Sequence, residues 1–75
     1  MIDIKKILYE ITNDKKVYEE GIDLIDSGLL DSYGFIELFT KLEEENIVLY
    51  PTRIDRDKLR TVKGIEKLVE EYINK

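Results

Sequence analysis

"GLLDSYGFIEL", residues 28–38, decides how this chain is read. Two leucines lead into an Asp-Ser pair, and an apolar pattern at helical spacing begins directly behind it. Asp and Ser are among the best residues for opening a helix, because a short side-chain oxygen accepts a hydrogen bond from a free backbone N–H of the first turn. From Ser32 onward, Phe35, Ile36, Leu38, Phe39 and Leu42 form a broad apolar arc on a helix that runs to about Glu45. Two roles are open to Ser32 itself. It is the cap of that helix, or it is a reachable hydroxyl to which something is attached.

Two more helices follow from the same spacing. Upstream, Ile4, Ile7, Leu8 and Ile11 share one helical face; Asp3 caps it and "TNDKK" ends it. Downstream, Thr61 caps a helix on which Val62, Ile65, Leu68, Val69, Tyr72 and Ile73 share a face. Residues 14–31 form a long connection, and a loop of that length in a small domain is functional or pinned by its own side chains. Leu24, Ile25, Leu29 and Leu30 are the candidate pins. In "NIVLYPTRIDRDKLR", Ile47 to Tyr50 have strand-like composition. Pro51 blocks a strand there, so the segment reads as a loop with a short helical turn near Ile54 to Leu59. The expected fold is all-α: a small four-helix bundle of three main helices and one short one, as a single domain over residues 1–75, with a long loop between the first two main helices.

Composition narrows the chemistry. The chain has no cysteine and no histidine, so it offers neither a thiolate nor the usual general base near neutral pH. Seventeen acidic against twelve basic residues give a net charge of −5, which disfavours nucleic acid and favours basic partners. Arg53, Arg56, Lys58, Arg60 and Lys63 make a basic stretch, but Asp55 and Asp57 interrupt it, and a solvated short helix accounts for it. Asp23, Asp26 and Asp31 lack the spacing of a calcium loop, so no metal site is expected. No apolar run approaches the roughly 20 residues of a membrane span, and the N-terminus does not read as a signal peptide. The expectation is a cytoplasmic monomer without membrane insertion.

The stretch "GLLDSYGFIELFTKLEEENIVLYP" resembles the signature of phosphopantetheine-dependent acyl and peptidyl carrier proteins: an Asp-Ser pair opening a helix, an apolar and acidic helix ending in glutamates, then an isoleucine-containing loop closed by proline. The resemblance covers almost the whole chain. It implies a 4′-phosphopantetheine arm on Ser32, added from coenzyme A by a separate phosphopantetheinyl transferase, and flanked by Asp31, Tyr33 and Gly34. It implies that the protein catalyses nothing itself, holding cargo as a thioester on the arm. Glu37, Glu43 and Glu44, with Asp31, match acidic positions of the face on which partner enzymes dock. Those partners are an adenylating ligase or acyl transferase and downstream acyl-processing enzymes.

Within the family, Tyr33, Gly34 and Lys41 depart from the fatty-acid carriers. "DSYG" and "IDRDKLRTVKGI" are similar to segments of D-alanyl carrier proteins of teichoic acid modification, although the tryptophan of that pattern is absent. D-alanine or another amino acid therefore ranks ahead of a fatty acyl chain as the cargo. Outside the carrier class, the chain reads as an unmodified helical adaptor that binds a partner through its acidic helix, with Ser32 only a cap. Glu37 and Lys41 are also spaced for an ion pair within that helix.

Overall fold

Each helix of the computed structural model, which describes residues 2–74, begins at a side chain able to take up a free amide. Helix α1 spans Ile4–Thr12, and the Asp3 carboxylate accepts from the Lys6 N–H. It stops at Asn13, which takes the left-handed conformation that asparagine tolerates better than most residues. Helix α2 spans Ser32–Glu44 and helix α3 spans Val62–Ile73, the latter capped by the Thr61 hydroxyl, which accepts from the Gly64 N–H at 3.0 Å. All three expected helices are present. The described residues contain no strand, and Ile47 to Tyr50 run as a loop.

The short elements are tighter than expected. The turn between α2 and α3 is not one α-helical piece but two 3₁₀ turns, Pro51–Arg53 and Arg56–Leu59. A third, Lys15–Tyr18, opens the long connection between α1 and α2; Asp14 accepts from the Lys16 N–H and Val17 is fully buried. Runs of three or four residues carry no helical period, and local side-chain caps of this kind favour 3₁₀ turns over longer helices.

Helix α1 packs against both α2 and α3, and the Arg56–Leu59 turn packs on α3. The core is apolar throughout: Ile4 and Leu8 from α1, Leu38 and Leu42 from α2, and Val62, Ile65 and Val69 from α3 close over Val17, Leu24, Leu30, Ile47 and Leu59 from the connections. Two of the four proposed loop pins, Leu24 and Leu30, are thus true core residues, while Ile25 and Leu29 are half-buried. At the foot of α3 the chain comes very close to itself. A Cβ on Gly64 would overlap the carbonyl oxygen of Lys58, so only glycine lets the Arg56–Leu59 turn seat there.

The long connection is fastened at its far end. The Leu24 N–H donates to the Arg60 carbonyl at 2.6 Å, and the Leu30 N–H donates to the Leu24 carbonyl at 2.9 Å. The Arg60 guanidinium meets three carboxylates: Nη1 lies 3.1 Å from Asp23 Oδ2 and 3.2 Å from Asp26 Oδ1, and Nε lies 3.2 Å from Asp57 Oδ1. The Asp23 carboxyl is held below its ordinary range, first by the Asp26 N–H that it accepts, and further by Arg60 and the Ile25 N–H, against a smaller opposing effect of burial. The hydrogen bonds that Arg60 donates to the three aspartates push its guanidinium further up, so it stays cationic at any working pH.

Helix α2 is rotated relative to the arc read from its sequence. The centre of its buried face is Leu38, with Gly34 and Leu42; Phe35 and Phe39 are half-buried flanks, and Ile36 is 63% exposed. Leu38→Ala should therefore cost about 2–5 kcal/mol, whereas Ile36→Ala should stay within about 0.5 kcal/mol of the parent. Chemical denaturation of both variants checks this. Equal losses would mean that the rotation is wrong.

Candidate functional site

The cap of α2 is Asp31 and not Ser32. Asp31 has extended backbone, its Oδ1 accepts from the Gly34 N–H at 2.8 Å, and its carbonyl accepts the Phe35 N–H at 3.0 Å. Ser32 therefore occupies the first fully helical position. Its side chain is exposed, and no hydrogen bond among the described residues engages its hydroxyl. The carboxylate wins the capping position because an ionised acceptor makes the stronger bond to a backbone N–H. The consequence is chemical. The hydroxyl at the start of the helix has no structural task, and it stands where unpaired N–H groups and the helix dipole favour a phosphate.

The neighbours of Ser32 divide by helical phase. At about 100° per residue, Ser32, Ile36 and Glu43 fall along one line of the helix, and Tyr33, Glu37 and Glu44 fall along the next. Tyr33 is 69% exposed, Glu43 and Glu44 are exposed, and Glu37 is half-buried. The serine, the three glutamates and two large apolar side chains thus share one side of α2. The apolar character of Ile36 fits the arc read from the sequence; the packing of Gly34, Leu38 and Leu42 on the core turns it outward.

Gly34 faces the other way. It is buried, and a Cβ there would come within 3.0 Å of Leu30 Cδ2. Its smallness serves the seating of Leu30 under the first turn of α2. Lys41 likewise does not pair with Glu37 inside the helix. It reaches Glu10 of α1, with Nζ 3.4 Å from Oε2.

Asp23 and Asp26 turn to Arg60, and no group of three or more candidate metal ligands forms among the described residues. Four surface clefts are lined by parts of α1, α3, the Val17–Ile22 stretch and the turn after α2; none of these four includes a residue of α2.

No protein-family model matches the chain. Individual proteins do. The D-alanyl carrier protein of Bacillus licheniformis is 35% identical over 71 residues, covering 92% of this chain and 91% of that protein. The D-alanyl carrier protein of Bacillus subtilis is 34% identical over 71 residues, with 92% and 91% covered. That of Abiotrophia defectiva is 31% identical over 72 residues, with 93% and 91% covered. The chain belongs to the phosphopantetheine-dependent carrier protein family. Carriers of this family are not catalysts, which agrees with the expectation drawn from the resemblance. A carrier also needs no nucleophile activation of its own, which fits a chain without histidine or cysteine.

The division of labour between Asp31 and Ser32 can be measured directly. Asp31→Ala should cost the carrier about 1 kcal/mol through loss of the cap. Ser32→Ala should leave stability within about 0.5 kcal/mol, because the hydroxyl bonds to nothing and alanine is at least as good a helix former. A larger loss from Ser32→Ala than from Asp31→Ala in urea denaturation would return the capping role to the serine.

Proposed function

We propose that this protein is an aminoacyl carrier whose Ser32 bears 4′-phosphopantetheine, and that its cargo is D-alanine. The observation that carries the reading is the exposed, unengaged Ser32 hydroxyl at the first position of α2, with Asp31 doing the capping beside it. Membership of a family represented by D-alanyl carrier proteins supports the choice of cargo. A small polar cargo also needs no apolar cleft beside the serine, whereas a long acyl chain would gain from one.

In this reading, Ser32 Oγ attacks the phosphorus that carries the pantetheine half of coenzyme A. The P–O bond to the departing nucleotide breaks, adenosine 3′,5′-bisphosphate leaves, and the hydroxyl proton passes to the transferase. The residues present fit the product. The hydroxyl is accessible, the helix N-terminus favours the new phosphodiester, and Asp31 is already committed to the Gly34 N–H. When attached, the arm supplies the thiol that holds the amino acid as a thioester. Tyr33 flanks the arm at the surface, and Gly34 keeps the first turn seated on Leu30.

The partners are a phosphopantetheinyl transferase, an adenylating ligase that loads the amino acid, and an enzyme that takes it onward. Their docking surface is the side of α2 bearing Glu37, Glu43 and Glu44, where acidic charge steers basic partners. Coenzyme A and nucleotide-dependent loading put the carrier in the cytoplasm. No helix among the described residues is long and apolar enough to cross a membrane.

Two experiments test the reading. Wild-type protein incubated with a phosphopantetheinyl transferase and coenzyme A should gain the mass of one arm, and Ser32→Ala and Ser32→Asp should gain none while remaining folded. A folded Ser32→Asp that still gains it places the arm elsewhere. A wild type that never gains it with several transferases makes the acidic helix an adaptor surface and nothing more.

For docking, reversing Glu43 and Glu44 to lysine should slow modification and loading, and raising the salt should slow the wild type in the same way. Rates indifferent to both treatments would remove these glutamates from the docking surface.

A further inference from the structure

Two features set aside in the sequence meet in space. The loop aspartates Asp23 and Asp26 carry no calcium pattern, and Arg60 sits in a basic stretch with no nucleic-acid role. In the fold they are partners: one guanidinium holds Asp23 at 3.1 Å and Asp26 at 3.2 Å across the domain, and Asp57 at 3.2 Å from its own turn. Side chains 37 residues apart are joined at the point where the Leu24 N–H also bonds the Arg60 carbonyl.

From this point a short path leads to the serine. Leu24 is fully buried, and its carbonyl takes the Leu30 N–H, closing residues 24–30 into a loop through the left-handed Gly28. Leu30 lies against Gly34 in the first turn of α2. Asp31 comes next and caps that turn, and Ser32 follows. The loop's position relative to α3 is therefore set on the Arg60 side, and the loop delivers Asp31 and Ser32 at its other end.

We propose that Arg60 is a positioning residue for modification and loading: by tying Asp23 and Asp26 to the lead of α3, it holds the 23–31 loop so that Ser32 is presented to partner enzymes in one geometry. This rests on Ser32 being the arm-bearing residue. Ion pairs this exposed add little to global stability. What a forked guanidinium adds is geometry, since its N–H groups engage several carboxylates in fixed directions. Its loss should leave the hydrophobic core and the backbone bond from Leu24 in place while letting the loop open more often.

The test compares wild type, Arg60→Lys and Arg60→Ala as full chains. A serine presented only part of the time raises the apparent KM of the transferase for the carrier without changing kcat, in inverse proportion to the competent fraction that remains. Arg60→Ala should raise KM by about three- to fivefold with kcat within about twofold. Arg60→Lys, which keeps a charge but not the fork, should fall between. Amide hydrogen exchange should speed up in residues 24–32 and stay as in wild type in α1. Wild-type KM in Arg60→Ala, or exchange that rises equally in every helix, overturns the proposal. Should Arg60→Ala not fold, Asp26→Ala removes one contact of the same guanidinium at an exposed position, and it should show the same signature with a smaller KM change; wild-type KM and exchange there overturn it equally. A wild type that accepts no arm fails in a different way: it overturns the carrier reading, and this role of Arg60 with it.

Discussion

The hydrogen bond from the Gly34 N–H to Asp31 Oδ1 fixes the residue at which α2 begins and leaves Ser32 as its first fully helical residue. With the cap at Asp31, Leu38 and Leu42 enter the core, Gly34 seats on Leu30, and Ser32, Ile36 and Glu43 turn to solvent. Side chains on the helix stand about 100° apart per residue, so packing the line of Gly34, Leu38 and Leu42 against the core leaves Ser32 and Ile36 on the far side. The same carboxylate also decides the chemistry. Because it satisfies the free amide, the serine beside it keeps an unoccupied hydroxyl at the positive end of a thirteen-residue helix.

What the protein must do is correspondingly modest. In the proposed role it does not lower the barrier of any reaction; it keeps the Ser32 hydroxyl accessible, offers an environment suited to a phosphodiester, and would show partner enzymes the acidic side of α2. A chain lacking histidine and cysteine suits that role, since it has no thiol or imidazole of its own to take an acyl group from a thioester. The acidic side chains of α2 are similarly free of structural duty. Lys41, the cation nearest to them in sequence, is drawn off to Glu10 on α1, so Glu37, Glu43 and Glu44 are not neutralised from within their own helix by that lysine.

Much of this was legible in the residues because it is local. The three helices carry strong 3.6-residue periods, and Asp3 and Thr61 were recognisable as caps from their positions alone. The loop's leucines were recognisable as pins because an 18-residue connection needs burial to be ordered. Other features were not local and could not be read. The choice between Asp31 and Ser32 as cap turns on one backbone geometry. Ile36 is apolar enough to belong inside, and only the true phase of α2 exposes it. The 3₁₀ turn at Lys15–Tyr18 is too short to show a period. Arg60 meets Asp23 across 37 residues, a separation at which sequence spacing carries no signal, and the glycine demanded at position 64 reflects a carbonyl from a different turn.

Folding and presentation are coupled through the long connection. Fully burying a leucine is worth about 1.5–3 kcal/mol, so Leu24 and Leu30 together contribute about 3–6 kcal/mol, a large share of the 5–15 kcal/mol typical of a whole domain. A connection that served only to span α1 and α2 would not need to supply three core residues, Val17, Leu24 and Leu30. Here the segment that leads into Asp31 and Ser32 is part of the core, so it is ordered by the same burial that folds the domain and not by secondary structure of its own. Burial alone sets depth and leaves lateral freedom, because apolar contacts have no direction. Other bonds shape the loop within itself, but among the described residues those that tie residues 23–26 to the lead of α3 are few: the Leu24 N–H to the Arg60 carbonyl and the Arg60 fork to Asp23 and Asp26. Leucine burial holds the loop down, and those bonds aim it.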